Sequence, residues 1–197
     1  TTPPHASGTV IFAHGSGSSR HSPRNRYVAG ILNRAGFATL LFDLLTAEEE
    51  SVDLQTRQIR FDIGLLAARL GLATQWLQRV PEARDLPIGY FGSSTGGGAA
   101  LVAAAERPGA VRAVVSRGGR PDLAGAALRK VEAPTLLVVG SEDEAVIELN
   151  RQAMAEMRCE VSLRLIPGAT HLFEEPGTLE MVAEMASNWF ARKFGPA

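Results

Sequence analysis

Three residues of this sequence have the side-chain types needed for nucleophilic acyl chemistry, and each is set in a glycine-containing turn. Ser94 stands in Gly92-Ser93-Ser94-Thr95-Gly96, between an apolar run ending at Phe91 and an alanine-rich stretch over 99–105. A sharp strand-to-helix turn holds such a serine in a strained backbone region, and neighbours without a Cβ let the helix start close against the strand. The helix N-terminus then directs N–H groups to where negative charge would develop. A serine hydroxyl does not attack unaided at neutral pH; it needs a base in reach and an acid to orient that base. His171, in Gly168-Ala169-Thr170-His171, is the expected base. His5 lies in the terminal segment, His14 in the loop after the first strand, and His21 too early in the chain order. Asp143, in Gly140-Ser141-Glu142-Asp143, is the expected acid, with Asp122 as its rival. An oxyanion site needs two backbone N–H donors, and losing one typically costs about 2.7–4 kcal/mol. Thr95 is expected to supply one and Ser16, in His14-Gly15-Ser16-Gly17, the other, with Gly15 and Gly17 as alternates.

These turns must be brought together by the elements between them. Compact apolar runs predict strands over 9–13, 37–45, 87–91, 111–116, 135–139 and 161–166. Helical spacing predicts helices over 23–34, capped by Ser22 with Pro23 at its first position, and over 60–80, 146–157 and 178–194. A further helix follows Ser94, and a short one covers 123–130. The segment 46–51, with Glu48, Glu49 and Glu50, reads as a solvated loop. Strand and helix thus alternate six times, which predicts one α/β domain over 1–197: a parallel sheet with helices on both faces. In such sheets the active site lies beyond the carboxyl ends of the strands, where His14, Asp43, Ser94, Arg117, Asp143 and His171 all fall.

Composition excludes several partner classes. The 197 residues carry 20 basic and 21 acidic side chains, so bulk charge recommends neither nucleic acid nor a membrane surface. No apolar run approaches the roughly 20 residues of a membrane helix. The first residues lack the pattern of a signal peptide. The one cysteine, Cys159, excludes an intrachain disulfide and fits a cytoplasmic location. No His, Cys or carboxylate cluster has metal-ligand spacing, and neither a phosphate-binding loop nor a dinucleotide fingerprint is present. No metal or cofactor is expected.

The four turns that carry His14, Ser94, Asp143 and His171 resemble the signature loops of the α/β-hydrolase superfamily, and the chain from about Thr9 to Phe194 is most similar to its dienelactone-hydrolase-related branch. The resemblance implies a three-layer fold and hydrolysis of an ester, lactone or thioester through an acyl-enzyme. Two features depart from the family. Dienelactone hydrolases proper carry a cysteine where Ser94 stands, and the family usually has one or two strands ahead of the His-Gly loop. No long insertion separates the fourth strand from Asp143, so an open site without a large cap is expected. Fold alone does not separate hydrolysis from acyl transfer or lyase chemistry on the same residues. A non-catalytic binding domain is the third reading.

Arg117 and Arg120 flank two glycines at a strand's carboxyl end. Guanidinium pairs bidentately with carboxylate or phosphate, which predicts an anion clamp for a small anionic ester or lactone. The competing reading is that both pair with Asp122 or neighbouring acids. Arg20, His21, Arg24 and Arg26 read as a solvated helix start, Asp43 as a structural acid, and Phe173 and Trp189 as core.

Overall fold

The computed structural model describes residues 1–195. Six strands form one parallel sheet in the order β2-β1-β3-β4-β5-β6: β1 Thr9–Ala13, β2 Ala38–Leu41, β3 Ile88–Ser93, β4 Ala113–Arg117, β5 Thr135–Gly140 and β6 Val161–Ile166. Helices α1 Pro23–Arg34, α2 Ala47–Thr56, α3 Ile63–Leu77, α4 Thr95–Ala105, α5 Glu144–Glu156 and α6 Thr178–Phe194 connect and cover them.

Side chains alternate across a strand with a period of two, and this divides the core. Ile11, Tyr90 and Val114 face α3 and α4, where they meet Leu66, Leu70 and Leu101. Val10, Phe12, Phe91 and Val115 face α1 and α6, where they meet Val28, Leu32, Ala186 and Phe190. Burying each such side chain contributes roughly 1.5–3 kcal/mol. The same alternation decides where polar residues at the strand ends point. Ser93 is paired with Arg117 in the β3–β4 register, and both continue the α1/α6 face of Phe91 and Val115. Ser116 turns to the other face, and a Cβ placed on Gly97 of α4 would fall 2.5 Å from its Oγ.

Helix ends follow local chemistry. Ser22 caps α1 by accepting from the Asn25 N–H, with Pro23 at the first position. The segment around Glu48, Glu49 and Glu50 is not a loop. It is α2, started by a capping box in which the Thr46 hydroxyl accepts from the Glu49 N–H and Glu49 reaches back to the Thr46 N–H. Other boundaries move as well. β2 ends at Leu41 rather than 45, so Asp43 leaves the sheet. Residues 121–130 form a 3-10 run broken at Gly125, whose φ is +50° and ψ −129°. α3 starts at Ile63 behind the Asp62 cap. The only segment between β4 and β5 is this 3-10 run and its flanks, with no large cap among the described residues. No helix among them is long and apolar enough to cross a membrane.

Candidate active site

Ser94 lies between β3 and α4 with φ +50° and ψ −123°, a conformation that costs a non-glycine residue on the order of 1–3 kcal/mol. The surroundings hold it there. Its N–H donates to the Arg117 carbonyl at 3.3 Å, and its carbonyl accepts from the N–H groups of Gly97 and Arg120 at 2.9 and 3.0 Å. The flanking glycines are required by close approach. A Cβ on Gly92 would fall 2.5 Å from the Gly96 carbonyl oxygen, and one on Gly96 would fall 2.2 Å from that of Ala13. Ser93 anchors the turn from below, its hydroxyl donating to Asn25 Oδ1 at 3.0 Å.

Asp143 and His171 come from the turns after β5 and β6. Those turns are laced together: Ser141 Oγ accepts from the Gly168 N–H at 2.8 Å, and the Glu142 N–H donates to the Ala169 carbonyl at 3.0 Å. His171 Nδ1 then lies 2.6 Å from Asp143 Oδ2. A carboxylate only accepts, so Nδ1 carries a proton, and in the neutral ring the lone pair is then on Nε2. The Asp143 side chain is 15% exposed and that of His171 40%, so the acid is sheltered and the imidazole open to solvent. His171 and Ser94 line the same cleft, of about 280 Å³, together with Gly15, Ser16, Arg117 and Gly118. No hydrogen bond joins the Ser94 hydroxyl to His171 in this structure.

Of the expected oxyanion donors, Ser16 lines this cleft, and both Ser16 and Thr95 line the adjoining smaller one. Thr95 is the first residue of α4, and neither its N–H nor that of Ser16 has a backbone acceptor. A Cβ placed on Gly15 would lie 3.2 Å from Ser94 Cβ, so the loop after β1 packs against the Ser94 side chain. His14 is a scaffold of that loop: Nε2 accepts from the Leu44 N–H at 3.0 Å, which places its proton on Nδ1, 3.0 Å from the Gly15 carbonyl. On the far side, a smaller cleft of about 60 Å³ separates the loop from Asp53 and Arg60.

The structure separates the two arginines expected to bind substrate. Arg120 does not line the cleft; its Nε and Nη2 hold Asp122 at 2.8 and 2.7 Å, and that carboxylate raises its pKa. The same pairing engages Asp122, the rival acid. Arg117 lines the cleft, is 8% exposed, and has Nε and Nη1 buried without a hydrogen-bond partner. Burial, and then the charge of Arg24, push its pKa down to about 10. Its guanidinium sits 5.7 Å from the centroid of the Phe173 ring. Arg24 pairs with Glu174 at 3.1 Å, and Arg20 pairs with Asp43. Sequence reasoning missed Asn25 and Gly118 as parts of this site, whereas Phe173, expected in the core, is buried there. Phe173, with φ +56°, carries no sequence signal for a left-handed backbone. Among the described residues no group of His, Cys, Asp or Glu could hold a metal ion.

The parallel sheet and the strained serine between β3 and α4 define an α/β-hydrolase fold. The model of the dienelactone hydrolase family matches residues 2–194, and the chain belongs to that family. It is 62% identical to a dienelactone hydrolase of Anabaena variabilis of known crystal structure, with a TM-score of 0.95 over 98% of this chain and 89% of that one. It is also 62% identical, over 190 residues, to a Mycobacterium tuberculosis protein named "Putative phosphoribosyl transferase". That match covers 96% of this chain but only 42% of the relative's length. The esterase Est1E from Butyrivibrio proteoclasticus shares the fold at 18% identity, with a TM-score of 0.79 over 96% of this chain and 89% of that one.

Proposed function

We propose that this chain is a serine hydrolase that cleaves a carboxylic ester, lactone or thioester through an acyl-enzyme on Ser94. The observation that carries the reading is the 2.6 Å bond from His171 to Asp143 in the cleft that also holds the strained Ser94. His171 Nε2 takes the hydroxyl proton as Ser94 Oγ attacks the carbonyl carbon. The N–H groups of Ser16 and Thr95 receive the oxyanion. Collapse of the tetrahedral species expels the alcohol or thiol, which takes its proton from the imidazolium. Water then attacks the acyl-serine with the same base and returns the free hydroxyl. Membership of the dienelactone hydrolase family supports hydrolysis. The phosphoribosyl transfer named for the M. tuberculosis relative belongs to a protein of which this chain spans less than half, and we do not assign it to Ser94.

The test is to incubate the protein with a fluorophosphonate probe and, separately, with p-nitrophenyl acetate. The expected result is one label, on Ser94, with ester turnover, and loss of both in Ser94→Ala. Folded protein that neither labels nor turns over overturns the assignment.

A further inference from the structure

We propose that Asn25 determines specificity in this cleft: its side-chain amide donates a hydrogen bond to an uncharged oxygen of the substrate, an ether, hydroxyl or carbonyl set beside the ester that Ser94 attacks. The inference rests on the hydrolase reading and deepens it by naming the substrate class, an oxygenated ester or lactone rather than a purely alkyl one.

A buried amide ordinarily uses both of its ends, because taking a polar group from water without a partner is costly. Asn33 and Asn150 follow that rule at the nitrogen, each donating from Nδ2 to a main-chain carbonyl. Asn25, in the first turn of α1, is 2% exposed and uses only one end. Its Oδ1 accepts from the Ser93 hydroxyl at 3.0 Å. Its backbone N–H goes to the Ser22 cap, so the helix start asks nothing of the side chain. Nδ2 has no acceptor among the described residues. Nor is it sealed off without a partner, as Trp189 Nε1 is. The nitrogen therefore opens on the cleft of about 280 Å³ that Asn25 lines with Ser94 and His171.

Ser93 decides which way the amide faces. A hydroxyl hydrogen needs an acceptor, and the carboxamide oxygen is the one it has. With the amide reversed, that hydrogen would meet two others and lose its partner. Ser93 is itself 3% exposed at the end of β3, so the donor is held by a packed strand rather than by a loop. Ser93 also precedes the nucleophile directly. The amide and Ser94 thus share one support, and an oxygen that reaches both lies a few bonds from the scissile carbonyl. An amide is uncharged and matches an uncharged oxygen. A substrate that presents a methylene there leaves the donor stranded against carbon, which is how a polar site rejects an apolar analogue.

The experiment compares kcat/KM within two pairs of esters that exchange one methylene for oxygen. p-Nitrophenyl methoxyacetate against p-nitrophenyl butyrate places the oxygen in the acyl group. 2-Methoxyethyl acetate against butyl acetate places it in the alcohol. Wild type, Asn25→Asp, Asn25→Leu, Ser93→Ala and the surface control Asn188→Asp are measured. Asn25→Asp keeps an acceptor for Ser93 and removes the donor, whereas Asn25→Leu removes both. Comparing each ratio with that of wild type cancels the intrinsic reactivity of the esters. The expected result is a fall in the oxygenated-to-alkyl ratio of roughly five- to thirtyfold in both Asn25 variants, the difference between satisfying and stranding a neutral donor. A smaller fall is expected in Ser93→Ala, where the amide loses its orientation, and an unchanged ratio in Asn188→Asp. The pair that responds shows which side of the ester carries the oxygen. A merely structural role would lower all esters together and leave the ratios where they were. Ratios equal in wild type and both Asn25 variants, for every pair that turns over, overturn the inference and leave the hydrolase reading in place. No turnover of any ester and no fluorophosphonate label at Ser94 overturn that reading, and this inference with it.

Discussion

Asp143 and His171 are 28 residues apart and leave the sheet from different strands, yet Nδ1 of the imidazole lies 2.6 Å from Oδ2 of the carboxylate. The contact is secured by the turns rather than by the two side chains alone, since Ser141 and Glu142 bond the backbone of Gly168 and Ala169. Asp143→Asn should therefore leave the fold in place and change the proton arrangement. An amide at that position can donate to Nδ1 and so favours the tautomer whose Nε2 already carries a proton. On the hydrolase reading, kcat falls by about three to four orders of magnitude, as when the orienting aspartate of a serine triad is amidated. Ester kinetics and far-ultraviolet circular dichroism on the same preparation check both halves of the expectation.

Gly118 is the floor against which the imidazole packs. Its φ is +50°, and a Cβ added there would lie 3.2 Å from the His171 carbonyl oxygen and 3.7 Å from its Cε1. Gly118→Ala combines an unfavourable left-handed backbone with pressure on the base. Stability should fall by about 1 kcal/mol or more. Turnover should fall more than fluorophosphonate labelling of the still intact Ser94 turn suggests from stability alone. Thermal melts and probe labelling, run beside ester kinetics, separate the two effects.

Much of this was legible in the sequence because steric need leaves narrow signatures. Gly92 and Gly96 stand where a Cβ would meet backbone within 2.5 and 2.2 Å, so the elbow can be written in few ways. Continuous apolar strands with helices between them admit one parallel arrangement, and the carboxyl-end rule then gathers Ser94, Asp143 and His171. What stayed hidden depends on partners distant in sequence. The fates of Arg117 and Arg120 were indistinguishable because both flank the same two glycines; strand alternation sends one under the cleft, while a carboxylate two residues on captures the other. α2 was legible in principle, since Thr46-x-x-Glu49 is a capping-box pattern, but three consecutive glutamates suggested a solvated loop.

Asp53 ties that helix to the rest of the chain. It is 3% exposed and accepts from the Arg60 N–H at 2.9 Å and from Arg60 Nε at 2.6 Å. Burial pushes its carboxyl up, but the hydrogen bonds and charge of Arg60 outweigh this and hold it below the ordinary 3.8. A carboxyl whose folded value is depressed contributes stability above the unfolded value and loses it as pH falls through the folded one. Asp53→Asn should thus lower Tm at neutral pH, and the gap from wild type should close as pH drops below 3.8. A Cβ on Gly17 would lie 3.3 Å from Arg60 Nη1, so the released arginine also frees space beside the loop that carries Ser16. Melts from pH 7 down to pH 3 give the first readout, and ester kinetics the second.

Arg117 has the opposite sign. Its pKa is lowered from the ordinary arginine range to about 10, first by burial and then by Arg24. An unfolded chain holds that proton more tightly, so the folded state carries a cost that is full below about pH 10 and declines as pH rises above it. The shift corresponds to a cost on the order of 3 kcal/mol, offset in part by the Phe173 ring. Arg117→Met removes the buried charge and keeps most of the bulk, so Tm at neutral pH should rise, at about 2–4 °C per kcal/mol recovered for a chain of this size. Such a rise shows that the buried charge is kept at a cost in stability.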